Sequence, residues 1–253
     1  MASPLLRLQG VSKSFGGLSA VRDVSLELPA GSLSALIGPN GAGKTTLFAL
    51  MSGFIRPDAG RIEFDGADIT GQPPHLNARR GMTRTFQIVQ PFAVQTVREN
   101  IAVGAHLHCA GRQEALDEAE LVAQRVGLAH QLDKPAGDLT VAGRKRLELA
   151  RTLATRPRLL LLDEVLAGLN PQEVADMVPV VRDIAAGGVT VLMIEHVMQA
   201  VMNLAGRVWV LAQGQLIASG TPAEVTRDPA VIEAYLGHGT AQRLRRTAAQ
   251  EAS

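Results

Sequence analysis

Residues 38–45 carry the pattern in this chain that is best suited to phosphate chemistry: two glycines separated by four residues, then lysine and threonine. Glycines let backbone N–H groups turn toward phosphate oxygens, and a helix N-terminus adds partial positive charge. We expect the Lys44 ammonium to reach the β and γ phosphates of a nucleotide and the Thr45 hydroxyl to bind Mg²⁺. The glycines at 38, 41 and 43 lack the spacing of a dinucleotide fingerprint. The alternative is a glycine turn that only joins a strand to a helix.

Two adjacent carboxylates, Asp163 and Glu164, follow the apolar run Leu159–Leu162. The carboxyl end of a buried strand is where open α/β sheets bind ligands. In phosphoryl transfer one carboxylate holds Mg²⁺ and another group orients the attacking water. We therefore expect Asp163 to bind the metal and Glu164 to orient the water. Taken alone, such a pair is more often a helix cap or a solvated turn, so the catalytic interpretation depends on the phosphate loop.

His196 and Gln87 are weaker candidates. His196 follows an apolar strand that ends at Ile194, and we expect it to emerge at the same sheet edge as the two carboxylates. A purely structural histidine is the alternative. Gln87 lies where a β-rich region gives way to a helical one, and by itself it carries no signal.

The elements that must position these residues follow from hydrophobic periodicity and turn residues. Apolar segments bounded by glycine and proline predict strands over Leu5–Val11, Asp23–Leu28, Ser34–Ile37, Arg61–Phe64, Leu159–Leu162, Val189–Ile194, Arg207–Leu211 and Gln215–Ser219. Helices are predicted over Lys44–Gly53 and Gln113–Val126, from Pro171 and from Val197. Residues 92–155 predict a helical insertion. Continuous apolar strands suit a parallel sheet covered on both faces, so the predicted class is α/β.

Composition restricts the class of protein further. The 253 residues are 46% hydrophobic and 19% charged, which excludes a disordered chain. A net charge of +1 and few aromatic residues disfavour nucleic-acid binding. The single cysteine, Cys109, excludes an internal disulfide. The first residues lack a signal-peptide pattern and no apolar run approaches the ~18 residues that cross a bilayer, so we expect a soluble intracellular protein.

The order of these motifs resembles the nucleotide-binding subunits of ATP-binding cassette (ABC) transporters over about residues 5–237. The likeness rests on Gly38–Thr46, Gln87, Leu139–Arg151, Leu159–Glu164, Ala167–Pro171 and His196. It implies the P-loop NTPase fold of ABC ATPases, in which a mixed sheet core carries an antiparallel β subdomain and an inserted α-helical subdomain. We expect the core over residues 1–90 and 156–237, the helical subdomain over 91–155 and a flexible tail over 238–253.

The resemblance also implies roles for single residues, with ATP and Mg²⁺ as the ligands. Phe15 corresponds to the aromatic residue that stacks on adenine, and His196 to the histidine that contacts the γ-phosphate. Gln87 is implied to touch Mg²⁺ or the attacking water, and to line the groove that meets the membrane subunit. Phe86 and Phe92 flank Gln87 and would either line that groove or lie in the core. The implied nucleotide contacts are Gly38, Pro39, Asn40, Gly41, Ala42, Gly43, Lys44, Thr45 and Thr46, and the implied metal contacts are Thr45, Gln87 and Asp163.

The signature segment, which in this family contacts the partner subunit's ATP, departs from the usual Leu-Ser-Gly-Gly-Gln. Here it reads Leu139-Thr140-Val141-Ala142-Gly143. Thr140 keeps the hydroxyl, but Val141 and Ala142 replace glycines that permit close approach to phosphate. One explanation is a heterodimer with a related ATPase subunit, and the other is that the two residues are tolerated in a homodimer after a slight backbone adjustment. Asn170 also stands where aspartate is common.

A narrower resemblance, to the ATP-binding subunits of bacterial branched-chain amino-acid importers, rests on Arg84–Gln87, Ala167–Pro171, Ile194–His196 and Ile232–Gly237. It implies transmembrane permease subunits and a second ABC ATPase as partners, and indirectly a periplasmic or extracellular solute-binding protein. Nucleic acid is not an implied partner. The implied location is the cytoplasmic side of the plasma membrane, through the permeases. The alternatives are a soluble ABC-type ATPase that acts on DNA or ribosomes, and a GTPase or small-molecule kinase.

Overall fold

A computed structural model describes residues 3–87 and 90–236 of the chain. Its strands are β1 (Leu6–Phe15), β2 (Leu18–Leu28), β3 (Leu33–Ile37), β4 (Ala59–Phe64), β5 (Ala67–Asp68), β6 (Met82–Arg84), β7 (Leu159–Asp163), β8 (Thr190–Ile194), β9 (Arg207–Ala212) and β10 (Gln215–Gly220). Its helices are α1 (Lys44–Ser52), α2 (Pro74–Arg79), α3 (Val97–Ala105), α4 (Arg112–Arg125), α5 (Val141–Leu153), α6 (Pro171–Ala186), α7 (Met198–Leu204), α8 (Pro222–Val225) and α9 (Pro229–Leu236). Short 3₁₀ turns occupy Ala129–Gln131 and Ala136–Asp138.

Two sheets form the framework. A six-stranded sheet has the order β10-β9-β3-β8-β7-β6, in which β10 alone runs antiparallel to its neighbour. A four-stranded antiparallel sheet has the order β2-β1-β4-β5. Every residue of β7 and of β8 is buried, as expected for central parallel strands whose two faces are both covered.

The core lies on both faces of the six-stranded sheet. Leu159 and Leu161 of β7 face a cluster that contains α1 and the antiparallel sheet. Leu160 and Leu162 face a second cluster that contains residues of α3 to α7. This alternation follows from the two-residue period of a strand, which sends successive side chains to opposite faces. Because both faces are covered, the edge formed by the carboxyl ends of the strands is where the sheet stays accessible.

Helices α3, α4 and α5 lie between β6 and β7 in the chain. Thr96 begins α3 with a capping box that also uses Glu99, and Thr140 caps α5. The observed bounds of α4 agree with the predicted helix over Gln113–Val126 to within one residue. The predicted tail, residues 238–253, lies outside the described residues. Within the described part of the chain, no helix is both long and apolar enough to cross a membrane.

Strand ends differ from the sequence prediction more than helix ends do. Strand β1 ends at Phe15, beyond the end of the predicted strand Leu5–Val11. Strand β2 begins at Leu18, before the start of the predicted strand Asp23–Leu28. Their added residues are largely polar or exposed, with the buried Val21 as an exception, so hydrophobicity gives little signal there. Helix α2 and strand β6 are short and were not predicted individually.

Candidate functional site

The phosphate loop connects β3 to α1, as its spacing predicts. At two of its glycines, an added side chain would collide with neighbouring backbone atoms. Gly43 has φ +100°, and an added Cβ there would lie 2.3 Å from the carbonyl oxygen of Ala20. A Cβ at Gly38 would lie 2.0 Å from the carbonyl oxygen of Leu211. Only glycine fits such positions, and the result is a backbone turn placed directly before the N-terminus of α1.

Lys44 lies folded over this turn. Its Nζ donates to the carbonyl oxygens of Gly38 at 2.7 Å and Pro39 at 3.0 Å, and the residue is buried. Burial lowers the pKa of Lys44, while the charges of Glu164 and Asp163 act in the opposite direction. The ammonium is therefore bonded to the carbonyls of the loop itself, and Lys44 lines the same cleft as Glu164.

Glu164, Gln87 and His196 converge at the end of β7. One carboxylate oxygen of Glu164 lies 2.9 Å from Nε2 of His196, and the other accepts from Nε2 of Gln87 at 2.9 Å. The Glu164 backbone is in the left-handed region with φ +52°, which is uncommon for a residue with a side chain. Its N–H donates to the carbonyl of Ile194 at 3.0 Å, so β8 holds the residue in this conformation.

Asp163 ends β7 and is almost fully buried. Its Oδ2 accepts from Nη2 of Arg84 at 2.8 Å, while its Oδ1 is buried and makes no hydrogen bond to any described residue. Burial raises the pKa of Asp163 and the Arg84 charge lowers it. Asp163 lines the same cavity as Thr45 and Gln87, so its buried carboxylate oxygen without a partner, the Thr45 hydroxyl and the Gln87 amide supply the kind of oxygen donors that Mg²⁺ prefers. These residues fit the expected metal.

An open cleft joins the phosphate loop to the Glu164 cluster. Its lining includes the loop residues Asn40–Thr46 together with Phe15, Gln87, Glu164 and His196. Phe15 is 47% exposed at the end of β1, and the Lys13 ammonium lies 5.6 Å from its ring centroid. The structure therefore places an accessible aromatic ring, the phosphate loop and the catalytic candidates along one cleft.

Two family models match the chain. The one described as ABC transporter matches residues 21–167, and the one described as branched-chain amino acid ATP-binding cassette transporter matches residues 215–241. The chain belongs to the ABC transporter family. This membership favours the transporter prediction over a soluble ATPase that acts on DNA or ribosomes.

Curated relatives in the ABC transporter family span nearly the whole chain. The high-affinity branched-chain amino acid transport ATP-binding protein BraF of Pseudomonas aeruginosa is 41% identical, and the match covers 94% of this chain and 99% of the relative. The corresponding protein LivG of Escherichia coli is 39% identical with the same coverage.

Solved ABC cassettes share the architecture. A crystal structure of a nucleotide-free ATP-binding cassette from an ABC transporter has a TM-score of 0.85 and 32% identity, and covers 93% of this chain and 100% of that one. A cassette in its ADP conformation also has a TM-score of 0.85 and 32% identity, with 94% and 100% covered. The predicted ABC ATPase fold, with a mixed sheet, an antiparallel sheet and added helices, is confirmed.

The segment that corresponds to the ABC signature begins helix α5. The Thr140 hydroxyl accepts from the N–H of Gly143 at 3.1 Å, so it serves as the helix cap within this chain. The Val141 side chain is 56% exposed. None of the residues 140–143 is among those that line the cleft around Lys44. Within one chain, the signature segment therefore does not line the cleft that contains the chain's own phosphate loop.

Sequence reasoning missed two buried charged residues of α5 that contact this site. The Lys145 ammonium donates to the carbonyl of Glu164 at 3.1 Å and to that of Gln87 at 3.5 Å. The Glu148 carboxylate accepts from the N–H of Phe86, and burial raises the pKa of Glu148. Lys145 is one of only four lysines in the chain, but its spacing gives no sign of these contacts. They link α5 to the segment around Gln87.

Beside Gln87, this cassette also has a groove that adjoins the cleft. It is lined by Phe54, Phe86, Val103 and Arg151, among others. Phe54 and Phe86 are about half exposed, so Phe86 is not a core residue. Phe92 is also exposed and lies against Arg151, whose Cζ is 5.0 Å from the ring centroid. The groove thus presents aromatic side chains to solvent next to the cleft that contains the phosphate loop.

Proposed function

We propose that this cassette binds and hydrolyses ATP to drive an importer of branched-chain amino acids. The observation that carries the proposal is the contact of Glu164 with both Gln87 and His196, in the cleft that Lys44 also lines. These side chains come from three distant parts of the sequence. Their convergence beside a phosphate loop gives the arrangement that hydrolysis of a terminal phosphate needs.

The roles of the residues follow from their positions. Lys44 would exchange the carbonyls of Gly38 and Pro39 for the β and γ phosphates. Glu164 would hold the attacking water by accepting a hydrogen bond from it, and His196 would steady Glu164 and contact the γ-phosphate. Phe15 would stack on the adenine ring. These contacts would stabilise the phosphates and the attacking water by charge and hydrogen bonds, which is the usual source of rate in phosphoryl transfer.

The metal assignment follows from the donor set. Thr45, Gln87 and Asp163 would hold Mg²⁺, and Oδ1 of Asp163, which has no hydrogen-bond partner among the described residues, would be available to bind it. When bound, Mg²⁺ would neutralise charge on the β and γ phosphates. The phosphate loop, Gly38 to Thr46, would surround the phosphates and bind them through the Lys44 and Thr46 side chains and through its backbone N–H groups, which every residue except Pro39 has.

The solute is proposed from the relatives. BraF and LivG are named for branched-chain amino acid transport, and the family model at residues 215–241 carries the same description. We assign the choice of solute to other subunits. This chain would supply only the nucleotide-driven step.

The partners are proposed on the same basis. Transmembrane permease subunits would be the membrane partners, one of them docked at the groove beside Gln87, and a solute-binding protein would act on the far side of the membrane. A second ATPase subunit would complete each nucleotide site. The exposed Val141 in the signature segment favours a heterodimer over a homodimer, since its side chain would stand between the backbone and the partner's phosphate. The chain would lie at the cytoplasmic face of the membrane.

Substitution Glu164→Gln tests the proposed function. The amide keeps the size of the side chain but loses the charge that would align water, so we expect ATP affinity to stay within about threefold while hydrolysis falls by about 100-fold or more. Phosphate release and equilibrium ATP binding measure the two effects. The control Glu120→Gln changes a surface carboxylate of α4 and should leave both unchanged. Wild-type turnover in Glu164→Gln would refute the assignment.

A further inference from the structure

We propose that Arg84 is a positioning residue that sets the Asp163 carboxylate for Mg²⁺ and ties it to the aromatic groove through Phe54 and Phe86. The inference rests on the proposed function, because that function assigns Asp163 to the metal. Arg84 itself does not touch nucleotide or metal. It acts through Asp163.

The ion pair between Arg84 and Asp163 is buried. The two side chains are only 8% and 2% exposed, and Nη2 of Arg84 lies 2.8 Å from Oδ2 of Asp163. Such a charge-assisted bond is short and directional. It occupies one carboxylate oxygen and leaves Oδ1 without a hydrogen-bond partner among the described residues. The pair therefore selects which oxygen of Asp163 is free for a cation.

The backbone of Asp163 is fixed independently of Arg84. Its N–H donates to the Thr85 hydroxyl at 2.9 Å, and the Thr85 N–H donates to the carbonyl of Leu161 at 2.9 Å. Pairing between β6 and β7 thus holds the main chain. What remains for Arg84 to determine is the rotamer of the Asp163 side chain, which carries the metal-binding oxygen.

Two aromatic rings hold the Arg84 guanidinium from the groove side. Its Cζ lies 5.2 Å from the ring centroid of Phe86 and 5.6 Å from that of Phe54, and the two rings meet edge-on at 5.4 Å. Nη1 also reaches the Ser52 hydroxyl at 3.5 Å. A guanidinium suits this place because it stacks on aromatic faces while its planar edge bonds a carboxylate, which an ammonium cannot do.

The rings connect this ion pair to the surface. Phe54 is 51% exposed and Phe86 45% exposed, and both line the groove. The N–H of Phe86 is held by Glu148 of α5. A chain that covers the groove would press on these rings, and they in turn contact Arg84. The position of one metal-binding oxygen therefore depends on two aromatic rings that do not line the nucleotide cleft.

The experiment compares ATP affinity with Mg²⁺ and in EDTA, by equilibrium titration of the full chain with a fluorescent ATP analogue. All variants carry Glu164→Gln to prevent turnover. The ratio of the two affinities measures the contribution of Mg²⁺ to ATP binding separately from that of the nucleotide. We expect Arg84→Gln to reduce this ratio by about tenfold, the lower range found when a group that orients a metal ligand is removed. Affinity in EDTA should not change. Arg84→Lys keeps the positive charge but removes the planar guanidinium that contacts the two rings, so we expect the affinity ratio to fall in this variant as well.

Three further variants make the outcome decisive. Arg158→Gln breaks an exposed ion pair with Asp65 and should keep the parental ratio. Asp163→Asn should abolish the effect of Mg²⁺, and if it does not, the metal assignment within the proposed function fails. A parental ratio in Arg84→Gln, alongside a lowered ratio in Asp163→Asn, would overturn the positioning role alone. If Arg84→Gln does not fold, Phe86→Leu decides: we expect a reduction of about threefold, and an unchanged ratio would overturn the proposal.

Discussion

Single residues in this cassette combine structural and chemical tasks. Glu164 has a left-handed backbone held by Ile194, and the same conformation directs its carboxylate toward His196 and Gln87. Asn170, where the family commonly has aspartate, accepts from the N–H of Glu173 at 2.9 Å and caps α6. Asparagine and aspartate cap helices about equally well, so this departure leaves the helix start intact.

Lys44 permits a direct test at this scale. Replacing it with alanine removes a buried ammonium that would bond the β and γ phosphates. A hydrogen bond to a charged group contributes about 1.5–3 kcal/mol, so the Kd for ATP should rise about 10- to 100-fold. Equilibrium titration measures this change.

The control for Lys44 is another of the four lysines. Lys134 is exposed and lies outside the cleft, so Lys134→Ala should bind ATP like the wild type. A wild-type Kd in Lys44→Ala would contradict the role given to the phosphate loop.

At the scale of elements, the site depends on how strand ends lie against one another. Asp163 at the end of β7 pairs with Ile194 at the end of β8, which brings Glu164 and His196 to one edge. Glu195 lies between Ile194 and His196 in the chain. It is 1% exposed, and its carboxylate accepts a hydrogen bond from the N–H of Leu166 at 3.0 Å. This buried carboxylate therefore supports the segment that follows Asp163 and Glu164.

Glu195 should make stability depend on pH. Burial raises its pKa to about 7 from an ordinary value of 4.5. Between these values the unfolded chain has lost a proton that the folded chain keeps, so the free energy of unfolding falls as pH rises. From pH 5 to pH 8 the wild type should lose about 2–3 kcal/mol more than Glu195→Gln, as measured by urea denaturation. Parallel pH profiles for the two proteins would contradict this origin.

The same scale shows what the sequence could predict. The strands β7 and β8 are continuous apolar runs, and the glycine spacing identifies the start of α1, so each was predicted to within a residue or two. The roles of Arg84 and Lys145 depend instead on strand pairing and on the docking of α5. Those are contacts between residues 19 to 79 positions apart, and no local pattern encodes them.

For the whole molecule, the cassette has two functional surfaces that share residues. Gln87 lines both the cleft and the groove, and Arg84 and Glu148 connect the groove to Asp163 and to α5. Binding of a permease at the groove and of ATP in the cleft would therefore be coupled through a few buried charges. Each ligand would change the affinity for the other by the same factor.

Uptake of labelled leucine, at low external concentration, by native cells that lack this chain tests the central claim most directly. We predict that removing the chain abolishes this uptake, that the wild type and Glu120→Gln restore it, and that Glu164→Gln does not. Leucine uptake that persists at its full rate without the chain, or that Glu164→Gln restores fully, would contradict the claim that ATP hydrolysis by this subunit drives import.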